Sequence, residues 1–125
     1  MKRIRSLAVL LLMTSCAPTP DDVKAEPIRF TMSVPAPVDR VGTCLASFYL
    51  GQSMDAHYLP VPSRNSAQLI VNFPAMGLAP PQGHFVFDLQ GGAQTTVTFQ
   101  RRKLMAGSES SEQQAKDQLT KCGAI

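Results

Sequence analysis

Three cysteines, two histidines and one run of basic residues are the side chains of this 125-residue chain best suited to do chemistry. Thiols at positions 16, 44 and 122 could serve as nucleophiles, metal ligands or disulfide partners. Redox and zinc sites bring their sulfurs together in close Cys-x-x-Cys pairs, with a histidine at hand, because both atoms must reach one small centre. No two of these cysteines stand that close in the chain. Asp55-Ala56-His57 offers two donor side chains, but a metal site needs three or four convergent ligands, so the stretch reads as a polar loop. His84, beside Phe85, reads as the start of a strand rather than a base. Neither histidine falls in a nucleophile or metalloprotease signature. Gly91-Gly92 is followed by neither a helix nor a Lys-Ser/Thr pair, so it reads as a hairpin turn and not as a phosphate cradle. The expectation is a protein without catalytic residues, metal or cofactor.

Two further stretches suit recognition. Arg101-Arg102-Lys103 either forms a solvated strand end that discourages edge pairing or meets anionic headgroups or an acidic partner. Headgroup attraction would contribute about 1 kcal/mol per basic side chain. Pro74 to Gly83 is a loop by its breakers, and its Met76 and Leu78 are either folded under or offered at an apolar tip. Met76, Leu78, Arg101, Arg102 and Lys103 are therefore the candidate partner contacts.

The start of the chain indicates where such contacts would be made. Lys2, Arg3 and Arg5 precede the apolar run Leu7 to Met13, which Thr14-Ser15-Cys16 closes. Seven apolar residues fall well short of the roughly 20 that a spanning helix requires. This order resembles the leader of bacterial lipoproteins, with Met13 where that family usually has Leu. The resemblance implies cleavage before Cys16 and a lipid on its sulfur and new N-terminus. Ala17, in place of the Asp that retains such proteins at the inner membrane, implies the periplasmic face of the outer membrane. Three of the 12 basic residues lie in the leader, so the mature chain carries nine basic against nine acidic side chains. A neutral chain has no electrostatic case for nucleic acid. With Cys16 taken by lipid, Cys44 and Cys122 remain as an even pair in an oxidising compartment and are expected to be bonded to each other. Closing that long loop is worth on the order of 4 kcal/mol.

Residues 16–27, rich in proline and charge, read as a flexible tether and residues 28–125 as a single domain. Ile28, Phe30, Met32 and Val34 alternate with Arg29, Thr31 and Ser33, the period of a half-buried strand. After Pro37, the residues Val38, Val41, Leu45 and Phe48 recur at helical spacing with Cys44 on the same stripe; Gly51 is a plausible stop. Gly42 inside this helix marks either close packing or a weak spot. Pro60 and Pro62 restrict any strand in 57–63 to an edge. Leu69, Val71 and Phe73 share one face of the next strand, and Phe85 to Leu89 and Thr95 to Gln100 form a hairpin. Ala115, Leu119 and Cys122 lie on one stripe of a last helix, with Glu109 and Glu112 near its positive end. The fold class is α+β: a two-layer domain with an antiparallel sheet of about four to five strands and two helices on one face, in the order β-α-β-β-β-β-α. A disulfide joins the helices. The opposite sheet face carries Arg29, Thr31, Asn72, Asp88, Thr96, Thr98 and Gln100 and should be wet.

Pro37 to Cys44, the run Gly91 to Val97 and Cys122 together resemble small uncharacterised proteobacterial periplasmic lipoproteins with a helix-to-helix disulfide. That family has no settled activity to carry over, so the resemblance bears on fold. Three functional classes follow from the residues. The first is a non-enzymatic interaction or accessory protein of the cell envelope with an envelope protein as partner. The alternative is an inhibitor or immunity-type lipoprotein that blocks a secreted enzyme or toxin. The third is a weak enzyme or small-ligand carrier, which would need a concave pocket with convergent polar groups.

Overall fold

Alternating apolar residues and proline or glycine breaks divide the described residues into five strands and two helices. The computed structural model describes residues 23–73, 82–101 and 108–124. Its elements are β1 (Phe30–Val34), α1 (Val38–Gly51), β2 (Asp55–Val61), a 3-10 turn (Pro62–Arg64), β3 (Ser66–Phe73), β4 (Gln82–Gln90), β5 (Thr95–Arg101) and α2 (Ser108–Gly123). The strands form one antiparallel sheet in the order β1-β5-β4-β3-β2. The first strand thus pairs with the last, and α1 carries the chain across the sheet to the opposite edge. The two helices, the five strands and the disulfide agree with the expected α+β class; the 3-10 turn is an addition.

Local chemistry explains the element ends. Pro35 stops β1, and Pro37 stands in extended conformation at the head of α1, where its missing N–H is of no consequence. β2 pairs only with β3, so its Pro60 lies on an edge strand as required. Asn65 adopts a left-handed conformation at the end of the 3-10 turn, and its carbonyl accepts the Gly91 N–H at 2.7 Å. A Cβ on Gly91 would meet the exposed Asn65 side chain, which would have to turn aside to admit it.

The core lies between the sheet and the helices. Phe85, Phe87 and Leu89 from β4 and Val97 and Phe99 from β5 meet Val41, Leu45 and Tyr49 from α1. Phe99 stacks between Phe30, Phe85 and Phe87, with ring centroids 5.0–5.5 Å away. Ala115, Leu119 and Cys122 are fully buried beneath α2, as their spacing predicted. α1 packs over β2 and β3, whereas α2 packs against α1 and β1. Cys44 and Cys122 are bonded, with Cα atoms 5.8 Å apart, and join the two helices.

Gly42 marks close packing rather than weakness. The Tyr58 ring on β2 lies directly against it, and a Cβ there would overlap the ring atoms. The Tyr58 hydroxyl donates to Asp39 in the first turn of α1, so the ring is fixed and cannot swing away. Two effects of opposite sign therefore compete in Gly42→Ala. Helix propensity favours alanine by about 1 kcal/mol, while overpacking a fitted contact costs about 1–3 kcal/mol. The expected result is a net loss of about 1 kcal/mol in urea unfolding, reversed to a gain when Tyr58→Ala removes the ring.

One expectation fails at the first strand. Ile28 was placed inward by alternation, but β1 starts at Phe30 and Ile28 is 56% exposed. Residue 29 already bonds to β5, through Arg29 N–H to Phe99 O at 2.8 Å, yet the residue before it has no strand to alternate in.

Candidate functional site

The outer face of the sheet, away from the helices, is where chain entry, charge and open surface converge. The domain begins earlier than composition suggested. Val23 to Glu26 form a turn closed by Glu26 N–H to Val23 O at 3.1 Å, and Val23 is fully buried. Gln100 Nε2 donates to the carbonyls of Lys24 and Glu26, both at 2.8 Å. Lys24 Nζ pairs with Asp88 at 3.2 Å, and Gln68 Nε2 donates to the same carboxylate at 3.1 Å. Residues 23–26, expected to belong to the tether that runs through residue 27, are therefore part of the domain.

Half of the outer face is accordingly dry rather than wet. Gln100, Val86 and Ile70 are register neighbours across β5, β4 and β3, and all three are buried, Gln100 to 6% exposure. A buried glutamine amide is tolerated because its two N–H groups have carbonyl acceptors. The remaining half of the face is an open trough of about 500 Å³, with Gln68, Asp88, Thr96 and Thr98 among its walls. Leu59 and Val61 on the edge strand rim it, 49% and 41% exposed. Aliphatic rim and hydroxyl or amide floor make a surface for contact; there is no convergent acid, base or nucleophile along this trough.

The basic cluster divides. Arg101, expected at a solvated strand end or a partner contact, is instead 4% exposed and points into the helix layer. Its Nη2 lies 3.4 Å from Glu112 Oε1 on α2, and Arg29 Nε lies 3.7 Å from the same oxygen. Strand parity carried the signal: Thr95, Val97 and Phe99 face the helices, and Arg101 continues that row. Glu112 thus serves a buried cation as well as the helix end. Removing one partner of such a pair leaves a charge in a poor solvent, so this arginine is structural. Arg102 and Lys103 lie outside the described residues, as do Met76, Leu78 and Cys16.

The other sequence candidates are placed as follows. Asp55 and His57 are exposed on the edge strand, and among the described residues no group of three metal-ligating side chains occurs. Asp88 is on the outer face, as parity predicted, but bound by Lys24 and Gln68 rather than merely solvated. His84 lies in β4 near its start. Tyr49, fully buried one position after Phe48, was missed because the helical stripe drifts by a residue along α1. Thr95 was missed too: its hydroxyl donates to Ala36 O at 2.6 Å and ties the hairpin to the β1 to α1 connection.

Both tyrosines are held protonated. Burial raises the pKa of Tyr49, and burial followed by the Asp39 carboxylate beside its hydroxyl raises that of Tyr58. Tyr58 is thus a standing hydrogen-bond donor that clips the edge strand to α1, not a base. Among the described residues, no helix is long and apolar enough to cross a membrane. No family model, curated protein or solved structure matches the chain.

Proposed function

We propose that this chain is a lipid-anchored protein of the bacterial cell envelope that works by contact with another envelope protein, not by catalysis. Cys16 carries the lipid, after cleavage of the leader, and the domain sits at the periplasmic face of the outer membrane. The observation that carries the reading is the Cys44–Cys122 bond. It uses two of the three thiols in a form that persists in oxidising compartments, and leaves over the one cysteine that follows a basic and apolar leader. Further support comes from how the polar side chains are used. Gln100, Arg101, Asp88 and Tyr58 are all engaged in holding elements together, and the helix layer keeps an open groove beside Phe48, Gln113, Asp117 and Lys121.

The test begins with the anchor. Cys16→Ala in the full precursor, expressed in a Gram-negative host, is expected to abolish fatty-acid labelling and to move the protein out of the membrane fraction. Unchanged membrane association would contradict the anchor. Crosslinking in intact envelopes then reads the contact itself. One dominant protein partner is expected, lost on changing Met76 and Leu78 or Arg102 and Lys103; several conditions without an enriched partner would overturn the interaction role.

A further inference from the structure

The mature chain joins the domain on the outer sheet face, and four attachments hold it there. They are the burial of Val23, the two hydrogen bonds from Gln100 Nε2 and the Lys24–Asp88 ion pair. They reach both β4 and β5, interior strands of the sheet, so the attachment lies away from the two side edges, running from Gln100 near the end of β5 to Asp88 within β4. We infer that this clasp turns the outer sheet face toward the bilayer holding the lipidated Cys16, so that the trough rimmed by Leu59 and Val61 meets the membrane surface. The inference rests on the proposed lipid anchor.

Reach decides the matter. Cys16 and Val23 are seven positions apart, which spans at most about 25 Å and about 15 Å as a flexible coil. To lay the helix layer on the membrane instead, the chain would have to pass over the strand ends next to Gln100 or around a sheet edge. The shorter path, over the ends, is one residue of about 3 Å, a layer spacing of about 10 Å and a helix of about 10 Å, or roughly 23 Å in all. That demands a nearly fully stretched segment, whereas the outer face lies within the relaxed reach. Without the clasp the first attachment would be Arg29 N–H on Phe99 O, 13 positions after Cys16, with a reach of about 45 Å. Either face could then turn to the bilayer, so the clasp alone selects one. The selected face suits the position: Leu59 and Val61 can enter the headgroup boundary while Thr96, Thr98 and Gln68 keep hydrogen-bonding partners there. The helix layer, with its groove beside Phe48, Gln113, Asp117 and Lys121, is left facing away, open to a protein partner.

The test places a photoreactive residue at Thr96 on the outer face, or at Asp117 on the helix layer, of the full lipidated protein. The protein is bound to vesicles of phosphatidylethanolamine and phosphatidylglycerol. Lipid adducts are expected several-fold more often from position 96 than from 117. Inserting about ten Gly and Ser residues after Pro20, which leaves every clasp contact intact, is expected to level the two by lengthening the reach. Gln100→Ala with Val23→Ser should do the same by undoing the clasp. Equal lipid labelling from both positions, in unaltered protein that floats with the vesicles, would overturn the inference. So would position 96 crosslinking to a protein instead of lipid in intact envelopes. Protein that does not float removes the anchor itself, a failure of the preceding proposal that flotation reads separately.

Discussion

Replacing both bonded cysteines, Cys44→Ala with Cys122→Ala, is expected to cost the domain about 4 kcal/mol and to lower its thermal midpoint by roughly 15–30 °C. The bond closes a loop of 78 residues, and the closure entropy it removes from the unfolded chain is large for that span. Against a total stability of about 5–15 kcal/mol for a domain this small, the loss is severe. The effect is concentrated in α2. Its buried stripe is narrow, Ala115, Leu119 and Cys122, and its polar residues bond mostly within the helix, as Gln113 does to Asp117. Without the staple, α2 has little apolar surface with which to hold itself against α1 and β1. Hydrogen exchange is expected to accelerate first at 115–122, and urea unfolding of the reduced wild-type domain should match the double variant. A loss below about 1 kcal/mol would mean that packing alone holds α2.

Phe99→Ala is expected to destabilise the domain by about 3–5 kcal/mol. Phe99 is fully buried on β5, and its ring touches three other phenylalanines: Phe30 from the edge strand and Phe85 and Phe87 from β4. With no Trp in the chain, these rings and Tyr49 are the largest fillers the core has. Truncation opens a cavity at the junction of three strands that the stapled helices cannot collapse to fill. Phe99→Leu, which nearly keeps the volume, should cost below about 2 kcal/mol. Phe30→Ala should cost less than Phe99→Ala, because Phe30 is only half-buried and lies beneath the Lys116 ammonium at 5.3 Å rather than inside the layer. Equal losses at the two positions in urea unfolding would show that the stack, not burial, sets the energy.

Much of this architecture was legible because it follows from short-range periods. Alternation put Leu69, Val71, Phe85, Phe87, Leu89, Val97 and Phe99 on one sheet face, and 3.6-residue spacing put Val41, Leu45, Leu119 and the two cysteines on inward helix stripes. Pro60 on an edge strand and the turn at Gly91-Gly92 follow from what those residues forbid or permit. Where reading by composition replaced reading by period, it misled. Arg101 was grouped with its charged neighbours although its parity matched Phe99. Residues 16–27 were assigned to a tether by their prolines and charges although Val23 is fully buried.

Residue order alone set the α+β class and most of the inward faces, since those depend on residues a few positions apart, whereas the pairing of Cys44 with Cys122, 78 positions away, followed from their number once Cys16 is set aside. Only the tertiary structure decided which half of the outer face is covered, why Gly42 must be glycine and what neutralises Arg101. Those depend on meetings between distant parts of the chain: Lys24 and Glu26 with Gln100, Gly42 with Tyr58, and Arg29 and Arg101 with Glu112. A hydrogen-bond donor or a charge carries no period that reveals its partner; the partner is selected when the chain closes and every polar group taken from water must find one.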